Sequence, residues 1–391
     1  MTFGEQITLE ELERDPYPIY AQLRDEEPVS WVPAVQLWLV TRYEDVRTVD
    51  LSPERFTAAT DPSTLNRTMG VNMLGSEGPD QQRVRRVVEP PFRPRDVEER
   101  TKGMIPALAN ELIDGFESRG ECDLFREFAD PMSVRSLRFM LGLDQVRWED
   151  LLAWNQGLMP GLANFEGDPD KQRPADEASA ALSEVIDRVL NRLADAPDGS
   201  VLSEMLHHAG EDAMSREEIL ANTKLMLSGG LQEPRDLIAL CVLALGSHPG
   251  QLDAVRGDRR LIRGAVEETL RWAAPVGTST RQCTEATTLA GVDLDAGALI
   301  GAVLSSANRD PRRFADPDRF DIHRAEGAHL AFAIGTHFCL GAWFGRHLAR
   351  VSLDVLLDRL PSLRLDPDRP ATISGWEFRA PDSTWVVWDR T

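Results

Sequence analysis

A single long helical segment beginning at Ser215 limits the possible folds of this chain more than any other feature of its sequence. Ser215 and Glu218 form an S-x-x-E capping box, a typical helix start. The helical pattern then runs to Ser247, just before His248 and Pro249. At 1.5 Å per residue, roughly 32 residues span about 48 Å, which is long enough to cross a whole domain. This segment favours a mainly helical fold.

The remaining pattern is also dominated by helices, with Pro-rich turns between them. Further helices are predicted over 261–274, which ends before Pro275, and over 341–360, which ends at Pro361. The predicted short strands cover 38–41, 287–294 and 384–388. No internal repeat, low-complexity stretch or linker divides the sequence. We therefore predict one mainly α domain with small β-sheets over residues 1–391.

Composition excludes several classes of function. The formal net charge is -21, so binding to a phosphate backbone through clustered basic residues is not expected. The N-terminal segment MTFGEQITLEELERDPYP has neither an apolar core nor a basic flank, and no apolar run reaches the length of a membrane span. The cysteines lie far apart without a C-x-x-C pair, which disfavours a structural zinc site or a disulfide framework. We expect a cytoplasmic protein that binds neither nucleic acid nor membrane.

The segment HLAFAIGTHFCLGAWFGR contains the strongest chemical signal. Phe332, Gly335, His337, Cys339 and Gly341 follow the spacing F-x-x-G-x-H-x-C-x-G. The glycines allow a loop whose backbone approaches a flat ligand closely, and the loop delivers a cysteine to a helix N-terminus. Amides and the helix dipole at that position favour the thiolate form, which suits an iron ligand. A buried structural cysteine is the alternative, but it does not explain this spacing.

This segment resembles the haem-binding loop of the cytochrome P450 family in its soluble bacterial form. The resemblance covers nearly the whole length and implies a triangular, mainly helical fold. In that fold haem b lies between the long distal helix and the cysteine loop, with Cys339 as its iron ligand. It also implies a structural network that supports the haem loop, formed by Glu268 and Arg271 of an E-x-x-R motif and by Arg319 in P-D-R-F.

The resemblance further implies which side chains contact the haem. Arg281 and His337 are expected to bind the anionic propionates, as is Arg85. Gln81 stands where the family often has a histidine, and it can donate a hydrogen bond without carrying charge. Phe332 and Gly341 of the cysteine loop complete the predicted haem contacts. The alternative for each polar residue is an ordinary surface or core contact.

The distal helix departs from the family pattern, which normally places an acid and then a threonine after A-G-x. Here Gln232 and Glu233 occupy those positions, following Gly229 and Gly230, and Pro234 comes next. Proline has no N–H, so the Gly230 carbonyl loses its helical partner. We expect the helix to kink or open at Gly229 and Gly230. The catalytic candidates are Gly229, Gly230, Gln232 and Glu233.

Three interpretations of Glu233 remain open. Its carboxylate could take a proton from hydrogen peroxide and return it to the distal oxygen, which would make the protein a peroxygenase. It could instead relay protons in an ordinary monooxygenase that uses dioxygen. In the third interpretation it turns away and pairs with Arg235 or another cation.

The predicted reaction inserts one oxygen atom into a small, largely apolar substrate, by hydroxylation or O-dealkylation. Electrons would come from a ferredoxin and its reductase, docked on basic residues at 83, 85, 86, 93 and 95 and on Arg346 and Arg350. The expected pocket residues are Met73, Leu74, Leu158, Phe165, Val276 and Phe378. The missing threonine keeps a non-catalytic haem sensor or carrier as an alternative, and a haem-thiolate dehydratase or isomerase as another.

Overall fold

A computed structural model describes residues 2–164 and 167–390 and is mainly helical, as predicted. Its α-helices are α1 Leu9–Arg14, α2 Tyr17–Glu26, α3 Tyr43–Leu51, α4 Thr64–Met69, α5 Gly78–Val88, α6 Pro94–Thr101, α7 Met104–Asp114, α8 Asp130–Leu141, α9 Trp148–Leu162, α10 Pro169–Asp195, α11 Val201–His207, α12 Arg216–Gly246, α13 Pro249–Gly257, α14 Ile262–Trp272, α15 Leu304–Ala307 and α16 Ala342–Arg359. Its strands are β1 Val29–Val32, β2 Leu37–Val40, β3 Phe56–Thr57, β4 Glu121–Asp123, β5 Ser279–Cys283, β6 Thr287–Leu289, β7 Val292–Leu294, β8 Leu299–Ala302, β9 Arg364–Leu365, β10 Ile373–Ser374, β11 Ala380–Pro381 and β12 Trp385–Val387.

The described residues divide into two compact units. Unit 1 contains the segments up to Ala58, Pro106–Ala129 and the chain from Glu233 onward. Unit 2 contains Ala59–Ile105 and Asp130–Gln232. Within the described residues, every named strand belongs to unit 1, and unit 2 consists of helices and their connections.

The main sheet of unit 1 has the strand order β1-β2-β8-β5-β3, in which only β2 and β8 pair in parallel. The sequence LWLV of β2 alternates between two cores, because successive side chains of a strand point to opposite faces. Leu37 and Leu39 join a cluster with Tyr20, whereas Val40 joins a cluster with Phe314. Burial on both faces explains why this short strand is almost entirely apolar.

The other predicted strands need one correction. Residues 287–294 form a hairpin of β6 and β7 instead of one strand. Ala290 and Gly291 form its turn with positive φ angles of 49° and 84°, the conformation that two-residue hairpin loops require. The C-terminal strand forms as predicted, although it is shortened to β12.

In unit 2 the long helix α10 packs closely against α9. A Cβ atom on Gly157 would lie 2.8 Å from the Ala178 Cβ, and one on Gly161 would lie 2.5 Å from the Ala175 Cβ. These residues are spaced four apart on α9 and three apart on α10, so each set occupies one helix face. Small residues therefore let the two helices approach closely.

The predicted long helix is present as α12, and its capping box forms. The Ser215 N–H donates to Glu218 Oε2 at 2.7 Å, and the Glu218 N–H donates to Ser215 Oγ at 3.2 Å. No single helix among the described residues is long and apolar enough to cross a membrane. Only α12 and α13 taken together satisfy length and composition, and they are bent by 106°.

Candidate functional site

The cysteine loop of unit 1 is held by its own backbone. A short 3-10 turn covers Gly335–His337, and the Cys339 N–H then donates to the Phe332 carbonyl at 3.0 Å. Helix α16 begins three residues after the cysteine, at Ala342. The loop therefore presents Cys339 just ahead of a helix N-terminus, where the dipole favours a negative charge.

The two glycines of the loop have different physical roles. Gly335 has a φ of 73°, and a Cβ there would lie 2.8 Å from the Asp50 carbonyl oxygen, so the backbone conformation and the packing both require glycine. Gly341 has an ordinary φ of -81°, and a Cβ there would meet no protein atom within 4 Å. The Phe332, His337 and Cys339 side chains are half-buried. The surface beside Gly341 thus fits the flat, closely approaching group that the sequence predicts.

A buried ion pair lies behind this loop. Arg281 Nη2 donates to Asp50 Oδ1 at 3.0 Å, and the Ile334 N–H reaches Asp50 Oδ2 at 3.4 Å. Burial raises the pKa of Asp50, while Arg281, the Ile334 amide and the charge of His337 act in the opposite direction. No motif in the sequence points to Asp50, which holds the arginine expected to bind a propionate.

The support network forms with a different third arginine. Glu268 and Arg271 form a buried ion pair at 2.7 Å, and Arg324 Nε also donates to Glu268 at 3.1 Å. The prediction for Arg319 is wrong, because its side chain is exposed and pairs with Asp321 at 2.8 Å. Only the carbonyl of Arg319 takes part, as an acceptor for both other arginines.

A second charged cluster fixes the outer side of the loop. Glu267 binds Arg346 at 2.7 Å and His329 at 3.2 Å, and the Arg346 guanidinium lies 4.3 Å from the centroid of the Phe332 ring. Burial alone would raise the pKa of Glu267, but hydrogen bonds from His329 and Arg346 outweigh it and lower the pKa to about 2. Trp343, whose ring centroid lies 5.2 Å from the same guanidinium, remains 44% exposed.

The basic residues predicted on and just after α5 of unit 2 are largely paired with acids. Arg85 Nε donates to Glu89 at 2.8 Å, and Arg86 pairs with Asp212 at 2.7 Å. Arg83 binds Glu218, and Arg93 lies 3.7 Å from Glu89. Gln81 is buried one helical turn before Arg85, so both lie on one face of α5. The pairs reduce the positive charge that this helix offers to a partner.

The distal helix does not open where the sequence predicts it should. Helix α12 continues through Gly229 and Gly230. The neighbouring Ser133 on α8 donates its hydroxyl to the Leu231 carbonyl at 2.6 Å and lies 3.4 Å from the Gly230 carbonyl. A Cβ on Gly230 would lie 2.7 Å from Leu137, whereas one on Gly229 would meet no atom within 4 Å. A hydroxyl from α8 therefore supports the turn that lacks the proline N–H, and only Gly229 faces open space.

Glu233, the first residue of unit 1 on this helix, is half-buried. Its Oε2 atom is buried without a hydrogen-bond partner among the described residues. Arg235 pairs with Asp236 at 2.8 Å and lies 4.6 Å from the Phe125 ring centroid, so its described ion pair is with Asp236. Burial, with a smaller contribution from Asp236, raises the pKa of Glu233 to about 7.

The predicted pocket residues differ in accessibility. Leu158 has 0% exposure, so it is a core residue, and the prediction that it lines a pocket is wrong. Met73 is buried, and Leu74 is 38% exposed. Val276 and Phe378 form an antiparallel bridge in unit 1. Phe165 lies outside the described residues.

Known proteins resemble this chain in sequence and in structure. The cytochrome P450 family model matches residues 171–372. The chain is 34% identical over 371 residues to cytochrome P450 107B1 of Saccharopolyspora erythraea, covering 90% of this chain and 89% of that protein. Vitamin D(3) 25-hydroxylase of Pseudonocardia autotrophica is 34% identical over 366 residues, with coverage of 90% and 88%. The crystal structure of CalO2 matches with a TM-score of 0.89 and 29% identity over 98% of each chain. The chain therefore belongs to the cytochrome P450 family of haem b monooxygenases.

Proposed function

We propose that Cys339 binds the haem iron as a thiolate, within one domain formed by residues 1–391. The observation that carries this proposal is the cysteine loop, in which the Cys339 N–H is fixed on the Phe332 carbonyl at 3.0 Å. The start of α16 at Ala342 favours the anionic sulfur. When bound, the haem supplies the iron at which an oxidant is activated and one oxygen atom is transferred to substrate.

We assign the haem contacts residue by residue. From unit 1, Arg281 and His337 bind propionates, while Phe332 and Gly341 lie against the ring. The resemblance to the family also assigns Arg85 and Gln81 on α5 as propionate donors. Asp50 and the Thr280 carbonyl each accept one Arg281 N–H, and a guanidinium has five such donors. Glu268, Arg271 and Arg324 support the loop without touching the reacting atoms.

The proposed reaction is insertion of one oxygen atom from dioxygen into a small, largely apolar substrate, by hydroxylation or O-dealkylation, in the cytoplasm. The apolar residues Met73, Leu74, Val276 and Phe378 support an apolar substrate. The relative named vitamin D(3) 25-hydroxylase also points to an apolar substrate. Glu233, with a pKa of about 7, is well suited to pass protons near neutral pH.

An acidic ferredoxin, reduced by its own reductase, is the proposed electron donor. In unit 1 the ion pairs Arg346–Glu267 and Arg259–Asp354 set α14 and α16 antiparallel. Arg263 lies one turn before Glu267 on α14, and Arg350 lies one turn after Arg346 on α16. Arg263 is exposed and forms no ion pair within the described residues. Together with the exposed Trp343, these arginines offer a local positive surface on a strongly acidic protein.

A second candidate function, a peroxygenase driven by hydrogen peroxide, is favoured by Glu233. Its Oε2 atom has no hydrogen-bond partner in the part of the chain that the structure describes, which suits it to accept a proton from peroxide and return it to the distal oxygen. In this case no ferredoxin would be needed. The proton starts and ends on the peroxide-derived oxygens, so the carboxylate is regenerated in each cycle.

One experiment separates the two functions. Haem-loaded protein is incubated with aromatic ethers, terpenoids and fatty acids, either with hydrogen peroxide alone or with NAD(P)H, ferredoxin and its reductase, and products are identified by mass. Product only with ferredoxin supports the monooxygenase, whereas product from peroxide alone that falls with Glu233→Thr supports the peroxygenase. Cys339→Ser should abolish both activities and the thiolate signature of the reduced carbon monoxide complex. A retained signature would refute the assignment of Cys339.

A further inference from the structure

Ser133 and Pro234 act on the same stretch of helix α12. Pro234 supplies no N–H to the Gly230 carbonyl, and its ring crowds the preceding turn. A helix with such a defect normally opens or bends unless another group satisfies the carbonyls. The Ser133 hydroxyl lies 2.6 Å from the Leu231 carbonyl and 3.4 Å from the Gly230 carbonyl, so one donor is directed at the two carbonyls beside the defect.

The packing of α8 against this turn leaves the hydroxyl little freedom. Ser133 is completely buried, and Leu137 lies one turn further along the same face of α8. A Cβ on Gly230 would come within 2.7 Å of Leu137 Cδ2, so α8 and α12 meet as closely as a glycine allows. The close approach brings the serine within hydrogen-bond distance of the main chain.

We infer that Ser133 is a positioning residue: its hydroxyl donates to the Leu231 carbonyl, reaches the neighbouring Gly230 carbonyl that Pro234 leaves without a donor, and keeps the turn from Gly229 to Gln232 helical. The turn leads directly into Glu233, so its conformation sets the position from which the Glu233 side chain extends. Neither the family motifs nor the proposed function requires a serine at this position. The inference does not depend on which oxidant the protein uses.

Helix α8 contains a matched control. Ser136 is also completely buried, but its hydroxyl has no hydrogen-bond partner within the described residues. Ser136→Ala removes the same atom from the same helix without breaking a hydrogen bond. Pro234→Ala restores a backbone N–H to the Gly230 carbonyl. The four variants Ser133→Ala, Ser136→Ala, Pro234→Ala and Ser133→Ala/Pro234→Ala therefore separate a lost hydrogen bond from lost packing.

The measurement is amide hydrogen exchange, by mass spectrometry of haem-loaded protein, in peptides covering residues 225–240. We expect Ser133→Ala to speed exchange about tenfold, because losing the hydroxyl donor at these two carbonyls costs about 1.4 kcal/mol. In the Pro234→Ala background the same substitution should speed exchange less than about threefold, since the helix then supplies its own donor. Ser136→Ala should leave the rate within about twofold of wild type.

A second readout follows the proton chemistry. If the turn loosens, the Glu233 carboxyl becomes more exposed to solvent. The apparent pKa of product formation should therefore fall in Ser133→Ala and return to the wild-type value in the double variant. An equal acceleration of exchange in both backgrounds, or none in Ser133→Ala, would overturn the inference. Because hydrogen exchange needs no turnover, failure of the proposed reaction is distinguished from failure of this assignment.

Discussion

Asp50 and Arg281 form a buried ion pair of 3.0 Å behind the cysteine loop of unit 1. The other Asp50 oxygen accepts the Ile334 N–H of that loop at 3.4 Å. One carboxylate thus links the end of α3 to strand β5 and to the segment that leads to Cys339. The arginine proposed to bind a haem propionate is therefore oriented by a residue outside every motif that identifies the family.

Removing this carboxylate should destabilise the protein. In Asp50→Asn, the charge of Arg281 stays buried without its partner, and breaking one side of such a pair costs about 3 kcal/mol. We expect that loss in the free energy of unfolding of the apoprotein, measured by urea denaturation. The loss should be smaller in haem-loaded protein, because a propionate then provides the compensating negative charge.

The exposed pair Glu44–Arg47 on the same helix is the control. Its atoms lie 2.7 Å apart, but both side chains are exposed. Glu44→Gln should therefore change the free energy of unfolding by less than about 1 kcal/mol. Equal losses in apoprotein and haem-loaded Asp50→Asn would contradict the proposed contact between Arg281 and a propionate.

The two loop glycines should respond differently to alanine. Gly335→Ala forces a side chain into a φ of 73° and against the Asp50 carbonyl, so we expect the apoprotein to lose about 2 kcal/mol of stability. Gly341→Ala meets no protein atom, so the apoprotein should be nearly unaffected. If the haem lies against Gly341, that variant should instead bind haem more weakly, which a haem titration measures. Unchanged haem affinity in Gly341→Ala would exclude close contact there.

The corrected support network predicts different stability losses for alanine substitutions of two arginines. Arg324→Ala leaves the buried Glu268 with one cation fewer, and we expect a loss of about 3 kcal/mol in unfolding free energy and reduced haem content. Arg319→Ala removes only exposed ion pairs, so its loss should be below about 1 kcal/mol. Unfolding curves and haem absorbance of both variants test the assignment, and the reverse ranking would restore the sequence-based choice.

The sequence predicts those features that depend on local spacing. The capping box at Ser215 fixes the start of α12, and the cysteine motif fixes a loop that leads into α16, because both patterns act over a few residues. The Arg319 prediction fails because several arginines follow Glu268 and Arg271, and only the folded chain decides which one reaches the carboxylate. Arg324 is the next arginine after Arg319 in the sequence, and this position is the signal from which the third member of the network could have been considered.

Long-range contacts explain the remaining differences. Ser133 lies about a hundred positions before the carbonyls that it supports, so reasoning from Pro234 alone predicts an opened helix. Asp50 lies even further from Arg281 in the chain, 231 positions before it. Leu158 has the same apolar character as a pocket residue, and only its complete burial identifies it as core. Hydrophobicity alone does not separate these two environments.

Glu233 should make both stability and activity depend on pH. Its pKa is about 7 in the folded protein, above the value near 4.3 typical of an unfolded chain. Between these values the folded protein holds a proton that the unfolded chain has released, so wild type loses stability as pH rises through this window. Relative to Glu233→Gln, we expect almost no difference at pH 4 and a deficit of about 3.5 kcal/mol at pH 8, measured by urea denaturation.

Glu377 provides the control for activity. Burial, with a contribution from Glu13, raises the pKa of Glu377 to about 7 as well, so Glu377→Gln should show the same stability pattern. A peroxide-driven rate that uses Glu233 as base should rise with pH through about 7 and lose that dependence only in Glu233→Gln. If both variants keep the wild-type pH profile, Glu233 does not accept the proton. If only Glu377→Gln flattens the pH profile of the rate, the titrating group is Glu377, which directly precedes Phe378.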